Sequence, residues 1–263
     1  MAAAPPATQL APVLRALKLT GMLETLDARL AEARAGTLGH LDFLQVLCED
    51  ELARREAQAI TRRLRAAHFE AEATLEGYDF SYNPGVPAAL IRDLARLEFI
   101  AAGEAVILYG PVGVGKSHIA QALGHAACRR GHEVYFAKCS RVLAELAGGH
   151  ADHSFAARLR RLSRPAVLIL DDWAIREFTA SQADDLYELF CDRLGQPGRS
   201  LVLTSNRSPT DFYPLFPNPL VGESILDRLL NASHHVFMSG KSYRPSHRPG
   251  RSPGGKDPVT AAR

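Results

Sequence analysis

Residues 105–117, AVILYGPVGVGKS, constrain what this chain can fold into more than any other stretch. Ala105 to Tyr109 form an unbroken apolar run, the pattern of a buried strand. The run leads directly into Gly110, Pro111, Val112, Gly113, Val114, Gly115, Lys116 and Ser117, a match to the phosphate-binding pattern GxxxxGK[ST]. Each residue type has a chemical task. Gly110, Gly113 and Gly115 admit backbone conformations closed to other residues, so that successive N–H groups can converge on phosphate oxygens. Lys116 supplies a point charge and Ser117 a hydroxyl for Mg2+. The helix that follows, with His118 near its start, adds the positive end of a dipole. With 20 glycines in 263 residues, such a match arises by chance roughly 0.003 times. An ordinary glycine-rich turn would need neither the strand before it nor the helix after it.

A second apolar run, Ala166 to Leu170, ends in Asp171 and Asp172. Ligands of open α/β sheets sit at such strand ends. Asp171 is placed to hold the water shell of a Mg2+ ion, and Asp172 to orient or deprotonate a water attacking the terminal phosphate. Capping of the next helix is the other use for such a pair. A third run, Leu201-Val-Leu-Thr-Ser-Asn-Arg207, repeats the layout, and Asn206 there suits a sensor that hydrogen-bonds the water or the γ-phosphate. Asn also ends strands for turn reasons alone. Arg228, on the mostly apolar helical stretch Ile225–Leu229, is either a guanidinium for the γ-phosphate of a neighbouring subunit or a local partner of Asp227 or Glu223. The ligands implied are ATP and Mg2+.

Around these motifs strands and helices alternate: helix 116–130, strand 133–137, helices near 140–146 and 154–162, and strand 166–170. Helix 181–194, strand 201–205, helix 223–230 and strand 235–238 follow. The alternation predicts an α/β fold with a mostly parallel sheet covered by helices on both faces, over residues 101–244. Ahead of it, the leucine spacing predicts a small all-helical domain over residues 11–73, with two short helices and a long one from Leu41 to Ala67. Leu41, Leu44, Leu47, Cys48, Leu52, Ile60 and Leu64 share a face of that long helix and read as core. Its other face carries Arg54, Arg55, Arg62, Arg63 and Arg65, either a clamp on a DNA backbone or a solvated surface balanced by Glu49, Asp50, Glu51 and Glu56. Residues 74–100 read as a connector and a lead-in helix from Pro87 to Ile100. Within the connector, Phe80 or Tyr78 either walls the adenine or simply packs the linker.

Residues 1–10, rich in Ala and Pro, read as disordered. From Gly240 onward six Lys or Arg face only Asp257, more than the +2 of the whole chain, so the rest is net acidic and residues 245–263 read as a basic flexible tail. Attraction to nucleic acid must then come from local patches. Cys48, Cys128, Cys139 and Cys191 show no metal-ligand spacing and are expected to stay reduced. No run approaches the ~20 apolar residues of a membrane span, and a cytoplasmic location is the expectation.

With these residues placed, the chain resembles the IstB-like transposition helper ATPases, of the AAA+ class and akin to helicase loaders of the DnaC type. The resemblance runs from Leu17-Lys-Leu-Thr-Gly-Met22 to the closing blocks Phe216-Pro-Asn-Pro-Leu220, Leu226-Asp-Arg-Leu-Leu230 and Gly240-Lys-Ser-Tyr-Arg244. It implies an AAA+ P-loop sheet, an N-terminal DNA-contacting region, and ATP-dependent homo-oligomers on double-stranded DNA that serve a partner transposase of the same insertion element. By position it assigns Lys116 and Ser117 to nucleotide and Mg2+, Asp171 to the metal, Asn206 to the sensor and Arg228 to the intersubunit contact. Many relatives carry Asp-Glu where this chain has Asp171-Asp172, which bears on hydrolytic rate more than on binding. No lid helix is visible after the last strand, and Arg244 is the remaining candidate for a sensor arginine. Two rival functions share these features, a DnaC-like helicase loader and a DNA scaffold that holds ATP with little turnover.

Overall fold

The computed structural model describes residues 6–36 and 38–243. The readings of residues 1–5, of Arg244 and of the segment 245–263 lie outside the described residues. The chain divides into two compact units at Arg62–Arg63, not at the 73/74 boundary expected from the sequence.

The first unit holds α1 (Pro6–Ala16), α2 (Thr20–Arg34) and most of α3 (His40–Ala66). Helix α1 begins inside the stretch read as disordered, because Pro at the first helical position and Ala after it both favour a helix start. Helices α2 and α3 meet at Gly21, where a Cβ would lie 2.7 Å from the Glu51 Cα. That close crossing buries Leu26, Leu47 and Glu51. It uses only part of the long helix, so the expected leucine core is realised only in part: Leu47 is buried, whereas Leu41, Leu44 and Leu52 are 82%, 55% and 66% exposed. Buried Glu51 accepts from the Gly21 N–H at 2.6 Å and from Arg55 Nε at 2.7 Å. Burial pushes its carboxyl up, but the Arg55 guanidinium and the Gly21 and Met22 amides outweigh it and hold the group below the ordinary glutamate value. Asp50, bidentate to Arg29 at 2.9 and 3.0 Å, is likewise held low, first by that hydrogen bond.

The second unit contains α4 (Ala88–Leu94), α5 (Glu98–Ala102), β1 (Ala105–Tyr109), α6 (Lys116–Arg129), β2 (Val134–Lys138), α7 (Cys139–Ala151) and α8 (Phe155–Ser163). It continues with β3 (Val167–Asp171), α9 (Ala180–Cys191), β4 (Ser200–Ser205), a 3-10 helix (Pro209–Leu215), α10 (Pro219–Asn231) and β5 (Ser233–Phe237). All five strands are parallel, in the order β2-β3-β4-β1-β5. Side chains alternate between two cores, as the pleat requires. Val106, Leu108, Val167, Ile169 and Val202 join the face covered by α6, while Ile107, Leu168, Leu170, Leu201 and Leu203 join the face covered by α7, α9 and α10.

Residues 63–100 belong to this unit. Tyr78, Val86, Ile91, Leu94, Leu97, Phe99 and Ile100 are part of the α6-side core, and the Phe136 N–H donates to the Ala67 carbonyl at 2.8 Å. The single helix expected over 87–100 is two, because Leu97 takes φ +66 and breaks it. Helix α9 starts at a capping box in which Thr179 and Gln182 satisfy each other's backbone N–H, and α10 starts earlier than expected, on the Asn218 cap with Pro219 in the first turn. At the N-terminal end of the sheet, fully buried Arg193 donates to the carbonyls of Leu162, Ser163, Pro165 and Ser200 at 2.7–3.0 Å, tying the entries of β3 and β4 together. Burial lowers its pKa to about 9. No helix among the described residues is long and apolar enough to cross a membrane.

Candidate functional site

The strand order builds the site. Strand β1 carries the glycine-rich loop, β3 carries Asp171 and Asp172, and β4 lies between them, so the ends of all three converge on one edge of the sheet. The loop adopts the backbone its glycines allow, with φ of +140 at Gly110, +86 at Gly113 and +98 at Gly115. Gly115 caps α6, which points its N-terminus into the loop. Lys116 is 7% exposed and curls back, its Nζ donating to the carbonyls of Gly110 at 2.8 Å and Pro111 at 2.6 Å. A cation held over the loop in this way sits where phosphate oxygens would arrive.

The Ser117 hydroxyl donates to Asp171 Oδ1 at 2.6 Å, bringing together the two residues expected to share a metal. The same Oδ1 accepts from Thr204 Oγ1 at 2.5 Å, and Thr204 Oγ1 accepts in turn from the Asp172 N–H at 3.0 Å. Thr204 thus bridges Asp171 and Asp172, the aspartates expected on the metal and water sides. Sequence reasoning passed over it because a Thr at a strand end is unremarkable without the strand order. Asp172 stands in the left-handed region, φ +59, and its carboxylate lies 3.7 Å from Lys138 Nζ at the end of β2. Lys138 is a further residue with no sequence signal of its own. Asn206 follows the last residue of β4 and is exposed.

Among the two linker aromatics, Tyr78 meets the loop, donating its hydroxyl to the Val114 carbonyl at 2.9 Å. Phe80 packs edge-on against Tyr78 with ring centroids 4.7 Å apart, and the Arg92 guanidinium lies over its ring at 5.4 Å. His118 donates from Nε2 to the Thr74 carbonyl at 3.2 Å, fixing the linker on α6. Arg228 is exposed on α10, its Nη1 2.9 Å from Cys191 Sγ and its guanidinium 5.8 Å from the Tyr187 ring. The local ion pair with Asp227 or Glu223 is absent among the described residues, and Asp227 instead accepts from Asn231. Of the basic face of α3, Arg54 pairs with Glu24 and Arg55 with Glu51, Arg63 donates to the Cys128 carbonyl at 3.3 Å, and Arg62 and Arg65 are exposed.

The residues present fit Mg2+. No group of three His, Cys, Asp or Glu converges among the described residues. This ion needs none, since it is held by one or two protein oxygens with phosphate oxygens and water. Ser117 and Asp171 supply such hard oxygens, already 2.6 Å apart.

A parallel 2-3-4-1-5 sheet with a phosphate loop after β1 and an aspartate at the end of β3 defines an AAA+ P-loop domain. Solved structures agree on the fold. The DnaC helicase loader superposes with TM-score 0.52 at 18% identity, over 67% of this chain and 99% of that one. The replication initiator DnaA bound to AMPPCP and single-stranded DNA does so with TM-score 0.56 at 18% identity, over 66% and 52%. The chain belongs to the IstB-like ATP-binding protein family, whose model matches residues 12–250. A protein of Mycobacterium tuberculosis named for ATP binding in an insertion sequence is 63% identical over 239 residues, covering 91% of this chain and 95% of that one. A counterpart named for insertion sequence IS21 of Pseudomonas aeruginosa is 33% identical over 236 residues, covering 90% and 88%.

Proposed function

We propose that the chain is an ATPase that assembles on duplex DNA and presents target DNA to the transposase of its own insertion element. The observation that carries the enzymatic part is the 2.6 Å contact between Ser117 and Asp171 beside the buried Lys116, an arrangement suited to a triphosphate and its metal. Lys116 moves from the loop carbonyls to the β- and γ-phosphates and neutralises charge there. Ser117 and Asp171 hold Mg2+, which when bound offsets the charge that develops on the transferred phosphoryl group. Asp172 orients the attacking water, and Asn206 hydrogen-bonds that water or the γ-phosphate. Arg228, exposed and propped on Cys191, completes the pocket of the adjacent subunit. Phe80, which packs edge-on against Tyr78, walls the adenine. Exposed Arg62 and Arg65, together with Arg63 beside its bond to the Cys128 carbonyl, contribute phosphate contacts to DNA, whereas Arg54 and Arg55 are paired with Glu24 and Glu51. The names of the insertion-sequence relatives support the transposase as partner.

A second reading, an ATP-holding scaffold with slow turnover, is favoured by the 3.7 Å contact of Asp172 with Lys138, which competes with water for that carboxylate. Steady-state hydrolysis with and without duplex DNA separates the two. Stimulated turnover that Lys116→Ala abolishes, with ATP affinity falling about 10- to 100-fold, is expected for the enzyme. Tight ATP binding with turnover flat in both conditions would leave the scaffold, and no binding at all would remove both.

A further inference from the structure

Two segments far from the phosphate loop in sequence hold it from behind. Tyr78 Oη donates to the Val114 carbonyl at 2.9 Å, and the Tyr243 backbone N–H donates to the Gly113 carbonyl at 2.8 Å. The two segments are also tied to each other. Tyr243 Oη donates to the Asp79 carbonyl at 2.6 Å and Tyr82 Oη to the Ser242 carbonyl at 3.2 Å. Asn83 both donates to the Lys241 carbonyl and accepts from the Lys241 N–H, each at 2.8 Å. The rings of Tyr82 and Tyr243 lie 4.1 Å apart. The approach is as close as glycine permits: a Cβ on Gly113 would fall 2.0 Å from Ser242 Oγ, and one on Gly115 2.7 Å from the Tyr78 ring.

These bonds fall on carbonyls whose peptide partners face the nucleotide. Across a trans peptide the C=O and the next N–H point in opposite directions. Anchoring the Gly113 carbonyl therefore sets the direction of the Val114 N–H, and anchoring the Val114 carbonyl sets that of the Gly115 N–H. Both amides belong to the nest that receives phosphate oxygens. Without an anion, converging N–H groups repel one another, and free peptide planes would rotate apart. We propose that Tyr78 and Tyr243, with residues 239–243 closed onto the linker 78–85, form a clasp that presets the phosphate loop and so sets its affinity for ATP.

Both tyrosines are positioning residues that act through the loop backbone, and the assignment rests on the ATP reading above. Linkage makes the effect mutual: whatever factor the clasp adds to nucleotide affinity, bound nucleotide returns to the clasp. The closing block thereby senses occupancy of the site.

The test uses the full chain and the non-hydrolysable analogue AMPPCP with Mg2+. Tyr78→Phe keeps the ring and removes the donor. It is expected to weaken AMPPCP binding about 3- to 10-fold, the factor for one neutral hydrogen bond, and to raise the KM for ATP equally with kcat unchanged. A role in packing alone would not produce that split. Tyr243→Phe frees the strap from Asp79, is expected to act in the same direction, and in combination with Tyr78→Phe should give less than the product of the two effects. In the unsubstituted chain, AMPPCP should slow hydrogen exchange at the amides of 239–243, a readout that stands even if Tyr78→Phe fails to fold. The clasp is overturned if the wild type binds AMPPCP while both variants bind equally well and exchange at 239–243 does not change. A wild type that does not bind AMPPCP overturns the ATP reading itself, and the clasp with it.

Discussion

Thr204→Val is the substitution that most directly probes how the two aspartates are held. The side chains have the same shape, Thr204 is 1% exposed, and only the hydroxyl is lost. That hydroxyl makes two bonds, one donated to the Asp171 carboxylate at 2.5 Å and one accepted from the Asp172 N–H at 3.0 Å. A hydrogen bond to a charged group contributes about 1.5–3 kcal/mol and a neutral one about 0.5–1.5 kcal/mol. The second loss is the smaller, because the Asp172 side chain is 41% exposed and water can replace the missing acceptor nearby. The expected cost is about 2–4 kcal/mol, a fall in Tm of roughly 5–15 °C for a unit of this size. Released from Thr204, the Asp171 carboxylate keeps its bond from Ser117 but gains freedom, so ATP binding should also need more Mg2+. Differential scanning calorimetry and ATP titrations at graded Mg2+ read the two effects, with Thr204→Ser, which retains the hydroxyl, as the control. If Thr204→Val melted with the wild type and titrated with the same Mg2+ dependence, the bridge would have no energetic content and the reasoning would fail.

Three other outcomes follow from the geometry. Arg193→Met should lower stability by about 3–5 kcal/mol in urea titrations, since four buried carbonyls lose their donor, and Arg193→Lys should not rescue it because one ammonium cannot reach them all. Asp50 and Glu51 are both held below their ordinary values, so they bind protons more weakly folded than unfolded. Their contribution is complete above about pH 5 and is lost as pH falls through the folded values, so helicity of the first unit should drop on acidification, and less steeply in Asp50→Asn; equal pH profiles would exclude the pairing as the cause. Replacing Arg62, Arg63 and Arg65 together with Ala should weaken duplex binding and reduce its salt slope by up to about 3, and an unchanged slope would leave them as surface residues.

Much of the AAA+ unit is written locally in the sequence, and that part was legible. The run from Ala105 to Ser117 contains its own strand, loop and helix start, and Val167 to Asp171 needs only its apolar character to be read as a buried strand. What escaped depends on who lies beside whom. Parallel pairing leaves no trace in a single strand, so nothing in Leu201–Ser205 told that β4 sits between β1 and β3, and the role of Thr204 went with it. The break at Leu97 is invisible to periodicity, because a non-glycine residue in the left-handed region is held there by packing. The leucines of α3 misled for a related reason. Helical spacing reveals a common face but not how much of it a neighbour covers, and here the crossing at Gly21 covers Leu47 and Glu51 and leaves Leu41, Leu44 and Leu52 exposed. The start of α10 was missed although Asn218 with Pro219 is an ordinary start signal, whereas α9, capped by Thr179 with Gln182, begins within a residue of its expected start.

The chain has one tryptophan, and it follows Asp172 directly. Trp173 is sealed among Phe178, Phe190 and Phe212, with its backbone bonded on one side to the Thr204 carbonyl and on the other to the Ser205 hydroxyl. A displacement of Asp172 or of the end of β4 must therefore tug on a lone indole in an apolar cage. Its emission offers an unlabelled optical signal for whatever moves this end of the sheet, with no second fluorophore of its kind to subtract.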